Sequence, residues 1–115
     1  MVERIDKLQR KLFSDGHIVS AYLDQVRGTI QTKTGAITNG ETALRAALDA
    51  VKKTYKEPSQ EIALVKHSLG ENLIAQKRFT EARVVLSEAL ESYLKTRGPK
   101  HPFTKDCSAM LASIP

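Results

Sequence analysis

The chain reads as an all-α protein of antiparallel helix-turn-helix repeats, a short α-solenoid. Three observations lead there. Nearly every segment spaces its apolar residues three and four apart, no segment alternates like a strand, and residues recur at a fixed interval along the chain. At 115 residues the length suits a single domain with one core.

Val2, Ile5, Leu8 and Leu12 form the apolar stripe of a leading helix, closed by Ser14-Asp15-Gly16, where Gly16 is free to turn left-handed. A second helix is predicted from about His17 to Lys33, with Val19, Tyr22, Leu23, Val26 and Ile30 inward. The turn-rich stretch 34–40 offers Thr38 and Asn39 as caps. The third helix buries Leu44, Ala47, Leu48, Val51 and Tyr55 and ends at Glu57-Pro58, with Pro58 suited to the first turn of the next helix. That fourth helix uses Ile62, Val65, Leu69 and Leu73. Thr80 is the expected N-cap of the fifth, which buries Ala82, Val85, Leu86, Ala89, Leu90 and Tyr93 and stops at Gly98-Pro99. A short sixth helix follows Pro102, with Phe103, Cys107, Met110, Leu111 and Ile114 on one side. Connections this short make successive helices antiparallel neighbours.

The composition, 41% hydrophobic and 27% charged, is that of an ordinary globular protein, and 5% aromatic content without Trp argues against a stacking platform for bases or sugars. No run of about 18 apolar residues and no signal peptide is present, so a cytoplasmic location is expected. The net charge of +5 raises nucleic acid as a partner. Its placement weakens that reading. Lys52, Lys53, Lys56, Lys95 and Arg97 fall in last helical turns, where cations complement the helix dipole, leaving Arg4, Lys7, Arg10 and Lys11 as the one other cluster. Cys107 is the single cysteine and reads as a core thiol. His17, His67 and His101 lack ligands at metal spacing, and there is no phosphate loop or nucleophile elbow. Neither a metal, a cofactor nor catalysis is expected.

An offset from 28 to 70, 42 residues, superimposes Gly28 on Gly70, Leu44 on Leu86, Ala47-Leu48 on Ala89-Leu90 and Lys53-Thr54 on Lys95-Thr96, with Gly35 landing on Lys77 in the turn. Leu69-Gly70, Leu73, Phe79, Glu81-Ala82, Leu86 and Ala89-Leu90 then occupy signature positions, and here the sequence resembles the tetratricopeptide repeat family. The long period and the Arg97-Gly98-Pro99-Lys100-His101-Pro102 linker are similar to its kinesin-light-chain class. Small Gly70, Ala82 and Ala89 stand where helices cross closely, and large Leu69, Leu73, Phe79 and Leu86 where they interdigitate. Gly40, at the small position of the earlier repeat's second helix, departs from the family pattern.

The resemblance implies a short right-handed superhelix: a leading helix at 1–15, a degenerate repeat at 16–57, a well-formed one at 58–98, and a truncated repeat or capping helix at 99–115. It also implies a protein-interaction module, adaptor or regulatory, that holds a peptide in a groove lined by the first helix of each repeat. Carried over by position, the groove residues are Tyr22, Gln25, Val26, Thr29 and Lys33, then Leu64, His67, Ser68, Glu71 and Ile74. The cationic set that clamps a peptide carboxylate in some members is missing, as is the Asn pair where His67-Ser68 stand. Glu71, one turn after His67, is expected to make the groove pH-sensitive. Two alternatives are a nucleic-acid-binding domain using the basic leading helix, and a self-associating fragment of a larger signalling protein, in which Leu111 and Ile114 leave an exposed stripe that drives homodimerisation.

Overall fold

The structure is a computed structural model that describes residues 16–115, with side chains from residue 20. The leading helix expected over Val2–Leu12 lies outside those residues. The described chain is all-helical: α1 (Gly16–Thr34), α2 (Ile37–Thr54), α3 (Gln60–Ala75), α4 (Phe79–Thr96) and α5 (Pro102–Ala112) follow one another without a strand among the described residues. α1 packs chiefly on α2 and α3 on α4; α2 and α1 on α3 join the pairs, and α5 packs on α4.

The two pairs repeat each other in detail. α2 and α4 are the same length and stand 42 residues apart. A β-carbon on Gly28 would lie 2.5 Å from Leu44 Cγ, and one on Gly70 would lie 2.4 Å from Leu86 Cγ. In both pairs, then, the first helix crosses the second so closely that a leucine rests on bare backbone. The turns agree as well. Gly35 (φ 95°) and Lys77 (φ 61°) are both left-handed, a conformation glycine adopts freely and other residues adopt at a cost. At Lys77 the turn is held by the Arg78 N–H, which donates to the Leu73 carbonyl (2.9 Å).

The close crossing also overturns the expected face of α1. Tyr22, Leu23 and Ile30 point outward, 64%, 54% and 56% exposed, while Ala21, Gly28 and Thr32 are buried. Only small side chains fit under α2, so the large apolar residues are turned away. Val26 is half-buried.

Helix starts also differ from expectation. Thr38 and Asn39 lie inside the first turn of α2, whose N-cap is Ala36, and Thr80 lies inside α4, whose N-cap is Arg78; neither cap position makes a side-chain capping bond. α3 begins after Pro58, not on it. Glu57-Pro58 is cis, and Ser59 is the N-cap, its hydroxyl accepting from the Ile62 N–H at 3.2 Å. α2 stops at Thr54, which leaves Lys56 beyond its last turn. α5 starts on Pro102 as expected, with the His101 ring accepting from the Phe103 N–H at 3.1 Å.

The core is two adjoining clusters. Leu44, Ile62, Val65, Leu69 and Leu73 dominate the first, and Leu86, Ala89, Tyr93, Ala63 and Cys107 form the second. Met110, Leu111 and Ile114 pack against these clusters, so the exposed stripe expected on Leu111 and Ile114 does not form. Phe103 is 42% exposed and leans on Tyr93, ring centres 6.0 Å apart. Cys107 is fully buried as expected, its thiol donating to the Leu86 carbonyl at 3.4 Å.

Polar side chains join the pairs. Asn72, fully buried on α3, donates to the Thr32 hydroxyl and the Ile37 carbonyl, both at 2.9 Å, and accepts from Gln76 at 2.6 Å. Next to it Glu41 of α2 receives Arg78 (2.8 Å), Arg45 (2.8 Å) and Gln76 (3.0 Å). Burial alone would raise the Glu41 carboxyl, but the hydrogen bonds from Gln76, Arg45 and Arg78 and the Arg78 charge hold it below its ordinary value.

Candidate functional site

α1 and α3 meet along a seam, and beside that seam opens a cleft. Tyr22, Ala21 and Gln25 form one wall, Glu61, Leu64 and Val65 the other, and Val51 and Tyr55 of the α2 end close it, enclosing about 380 Å³. The volume is enough for a large apolar side chain with part of its backbone, and the lining offers few polar atoms. Tyr22 and Leu64 are the same repeat position, 42 residues apart, so the cleft is built from equivalent points of the two first helices.

Two further recesses share residues with it. Gln60, Glu61, Leu64, Arg97 and Phe103 line one of about 150 Å³, and Tyr55, Lys56, Ser59, Glu61 and Arg97 help line another of about 500 Å³. Glu61 is common to all three. Burial would raise its carboxyl, but its own backbone N–H, the Ser59 hydroxyl, the Gln60 amide and the Arg97 charge hold it below the usual value, so it faces the cleft as an anion at neutral pH. Sequence reading missed Glu61 and Arg97. Nothing in an apolar periodicity marks a charge at the mouth of a cleft.

The expected groove residues divide. Tyr22, Gln25 and Leu64 line the cleft. Gln25 and Thr29 are spent on the seam: the Gln25 amide donates to Ser68 Oγ (3.0 Å) and to Thr29 Oγ1 (3.3 Å), and the Thr29 hydroxyl lies 3.2 Å from Ser68 and 2.8 Å from the Gln25 carbonyl. Lys33 is exposed in the last turn of α1, and Glu71 is half-buried on α3. Ile74 packs against both core clusters and not into the cleft.

His67 also leaves the groove. It is buried where α3 meets α4 and α5, with Nδ1 3.1 Å from the Tyr93 hydroxyl and Nε2 2.8 Å from Asp106 Oδ2. Its carboxylate partner is therefore Asp106 and not the expected Glu71. A neutral imidazole satisfies both contacts, donating from Nε2 and accepting from Tyr93 at Nδ1. Burial, then the neighbouring Cys107 and Asp106, push the Tyr93 hydroxyl well above its usual value, and burial with Asp106 pushes the Cys107 thiol up to about 11. A thiol raised and enclosed in this way is the reverse of an activated nucleophile, and the cluster reads as a hydrogen-bonded joint.

Lys66 was also missed. Its side chain is 4% exposed between Glu57, with which it pairs closely, and Glu88 at 3.4 Å. Among the described residues no cluster of His, Cys, Asp or Glu is placed to hold a metal ion, and no helix is long and apolar enough to cross a membrane. Arg4, Lys7, Arg10 and Lys11, on which the nucleic-acid reading rests, lie outside the described residues. No protein-family model, no curated protein and no solved structure matches the chain.

Proposed function

We propose that this protein is an interaction module of tetratricopeptide-like helical repeats, acting as an adaptor or regulatory domain, that holds a peptide segment of a partner in the cleft between α1 and α3. The single observation that carries the reading is the open apolar cleft at the equivalent positions Tyr22 and Leu64. An apolar recess with an anionic Glu61 at its mouth suits a peptide that inserts one bulky apolar side chain. The repeated Gly28–Leu44 and Gly70–Leu86 crossings support the repeat architecture.

Selection from a random peptide library against the full chain tests the proposal. Selected peptides are expected to share one bulky apolar position, to quench or shift Tyr22 fluorescence, and to lose at least tenfold in affinity on Leu64→Arg with helicity unchanged. Failure to select any peptide, or binding indifferent to both Tyr22→Ala and Leu64→Arg, would overturn it.

A further inference from the structure

α1 uses one face within the described chain and leaves another bare. Ala21, Gly28 and Thr32 are buried on its inner side, while Leu23 and Ile30 stand on the opposite side, both more than half exposed. Seven residues return a helix to within roughly 20° of the same direction, so these two form one stripe. The repeat says what such a stripe carries. Val65 and Asn72 of α3 stand 42 residues on from Leu23 and Ile30, and both are buried. α2, the helix before α3, covers them: Val65 shares a core cluster with Leu48 and Val51, and Asn72 donates to the Ile37 carbonyl at the start of α2. The equivalent place on α1 belongs to the segment that precedes α1.

We propose that residues 1–12 lie as a helix along the Leu23–Ile30 stripe of their own chain, antiparallel to α1, as α2 lies on α3. The segment has the matching residues. A shift of 43 residues sets Ile5, Leu8 and Leu12 on Leu48, Val51 and Tyr55, which α2 contributes to the first core cluster or packs against it. That shift exceeds the 42-residue repeat by one, so the connection through Ser14-Asp15 is one residue longer than its counterpart between α2 and α3. Turn formers occupy it. Arg27 stands where α3 has Leu69; its side chain is exposed and 3.7 Å from Asp24, and a long cation can lay its stem on apolar surface while its head stays in water. Docked by Ile5, Leu8 and Leu12, the segment turns Lys7 and Arg10 to solvent, because they lie on the other side of the same helix. Connectivity favours this occupant over a second copy. A segment joined to α1 by a short turn meets the stripe at an effective concentration on the order of millimolar.

Amide hydrogen exchange of the full chain tests this, because a helix of about 12 residues is marginal alone in water and its protection reports docking. Amides of residues 5–12 are expected to exchange on the order of 100-fold slower than in an unfolded chain. Leu23→Glu with Ile30→Glu is expected to return them to the unfolded rate while α2, α3 and α4 stay protected. Leu8 and Leu23 are the counterparts of Val51 and Val65, which line the same cleft. Leu8→Cys with Leu23→Cys is therefore expected to close a disulfide within one chain on mild oxidation, since Cys107 is enclosed. Exchange of residues 5–12 at the unfolded rate in the parent, protection indifferent to the double glutamate substitution, or failure of the disulfide to close within the chain overturns the proposal. Tyr22, at the peptide cleft, lies about a quarter-turn round from Leu23. Peptide binding at Leu64 is expected to survive the double glutamate substitution, so the two readings fail separately.

Discussion

Gly70 lies so close beneath Leu86 that a β-carbon on it would come within 2.4 Å of Leu86 Cγ and within 3.1 Å of Cδ1. Ala is favoured over Gly inside a helix by about 1 kcal/mol, so Gly70→Ala sets a local gain against a forced separation of α3 from α4. Overpacking of this kind costs about 1–3 kcal/mol. Chemical denaturation is expected to show a net loss of stability for Gly70→Ala and for Gly28→Ala, which meets Leu44 in the same way. A stabilised variant would mean that the helices separate without strain.

Lys66 offers a different test, because its two carboxylate partners are about half exposed while it is not. Removing a buried charge with its volume kept is cheap when the partners left behind are solvated, and costly when they are buried. Lys66→Met is therefore expected to fold within about 1 kcal/mol of the parent, and Lys66→Ala to lose about 2–4 kcal/mol through the cavity it leaves. Equal losses would show that the ion pairs dominate.

Glu41 gives the pH dependence. Its carboxyl sits below 4.5 in the folded chain, so its contribution to stability is full above the ordinary carboxylate value and is lost as pH falls through the lowered one. Glu41→Gln is expected to cost about 1–2 kcal/mol at pH 7, with the gap to the parent closing under acid. Denaturation curves at several pH values measure this, and a gap that widened in acid would reverse the assignment.

Cys107 is expected to resist a thiol reagent in the native protein at pH 8 and to react at once in denaturant, because it is fully buried with its thiol raised to about 11. Rapid native labelling would mean that α5 lifts away from Leu86 readily.

Much of this architecture was legible in advance. Pairing Gly28 with Gly70 and Gly35 with Lys77 located two equivalent crossings and two equivalent left-handed turns, because close approach and positive φ each restrict which residues fit. The inner face of α1 was misread for the same cause: periodicity weights Leu23 and Ile30, whereas the crossing selects Ala21 and Gly28. Tyr22, Gln25 and Leu64, which share one repeat position or lie a turn from it, line one cleft. His67 and Ile74 were not separable from them by spacing, since what withdraws them is α5 and the core between the pairs. Asn72 and Lys66 escaped because polar residues on an apolar face look like interruptions until their partners, distant in sequence, are known.

Asn72 has a mechanical meaning. Rooted in α3, it grips Thr32 at the end of α1 and the Ile37 carbonyl at the start of α2, and so ties the second pair to the first at the point where the chain doubles back. A twist applied to either pair passes to the other through that amide together with the Glu41–Arg78 and Gln25–Ser68 bonds. The four helices should bend as a single lever, and the cleft between α1 and α3 should keep its width under load until these bonds give way.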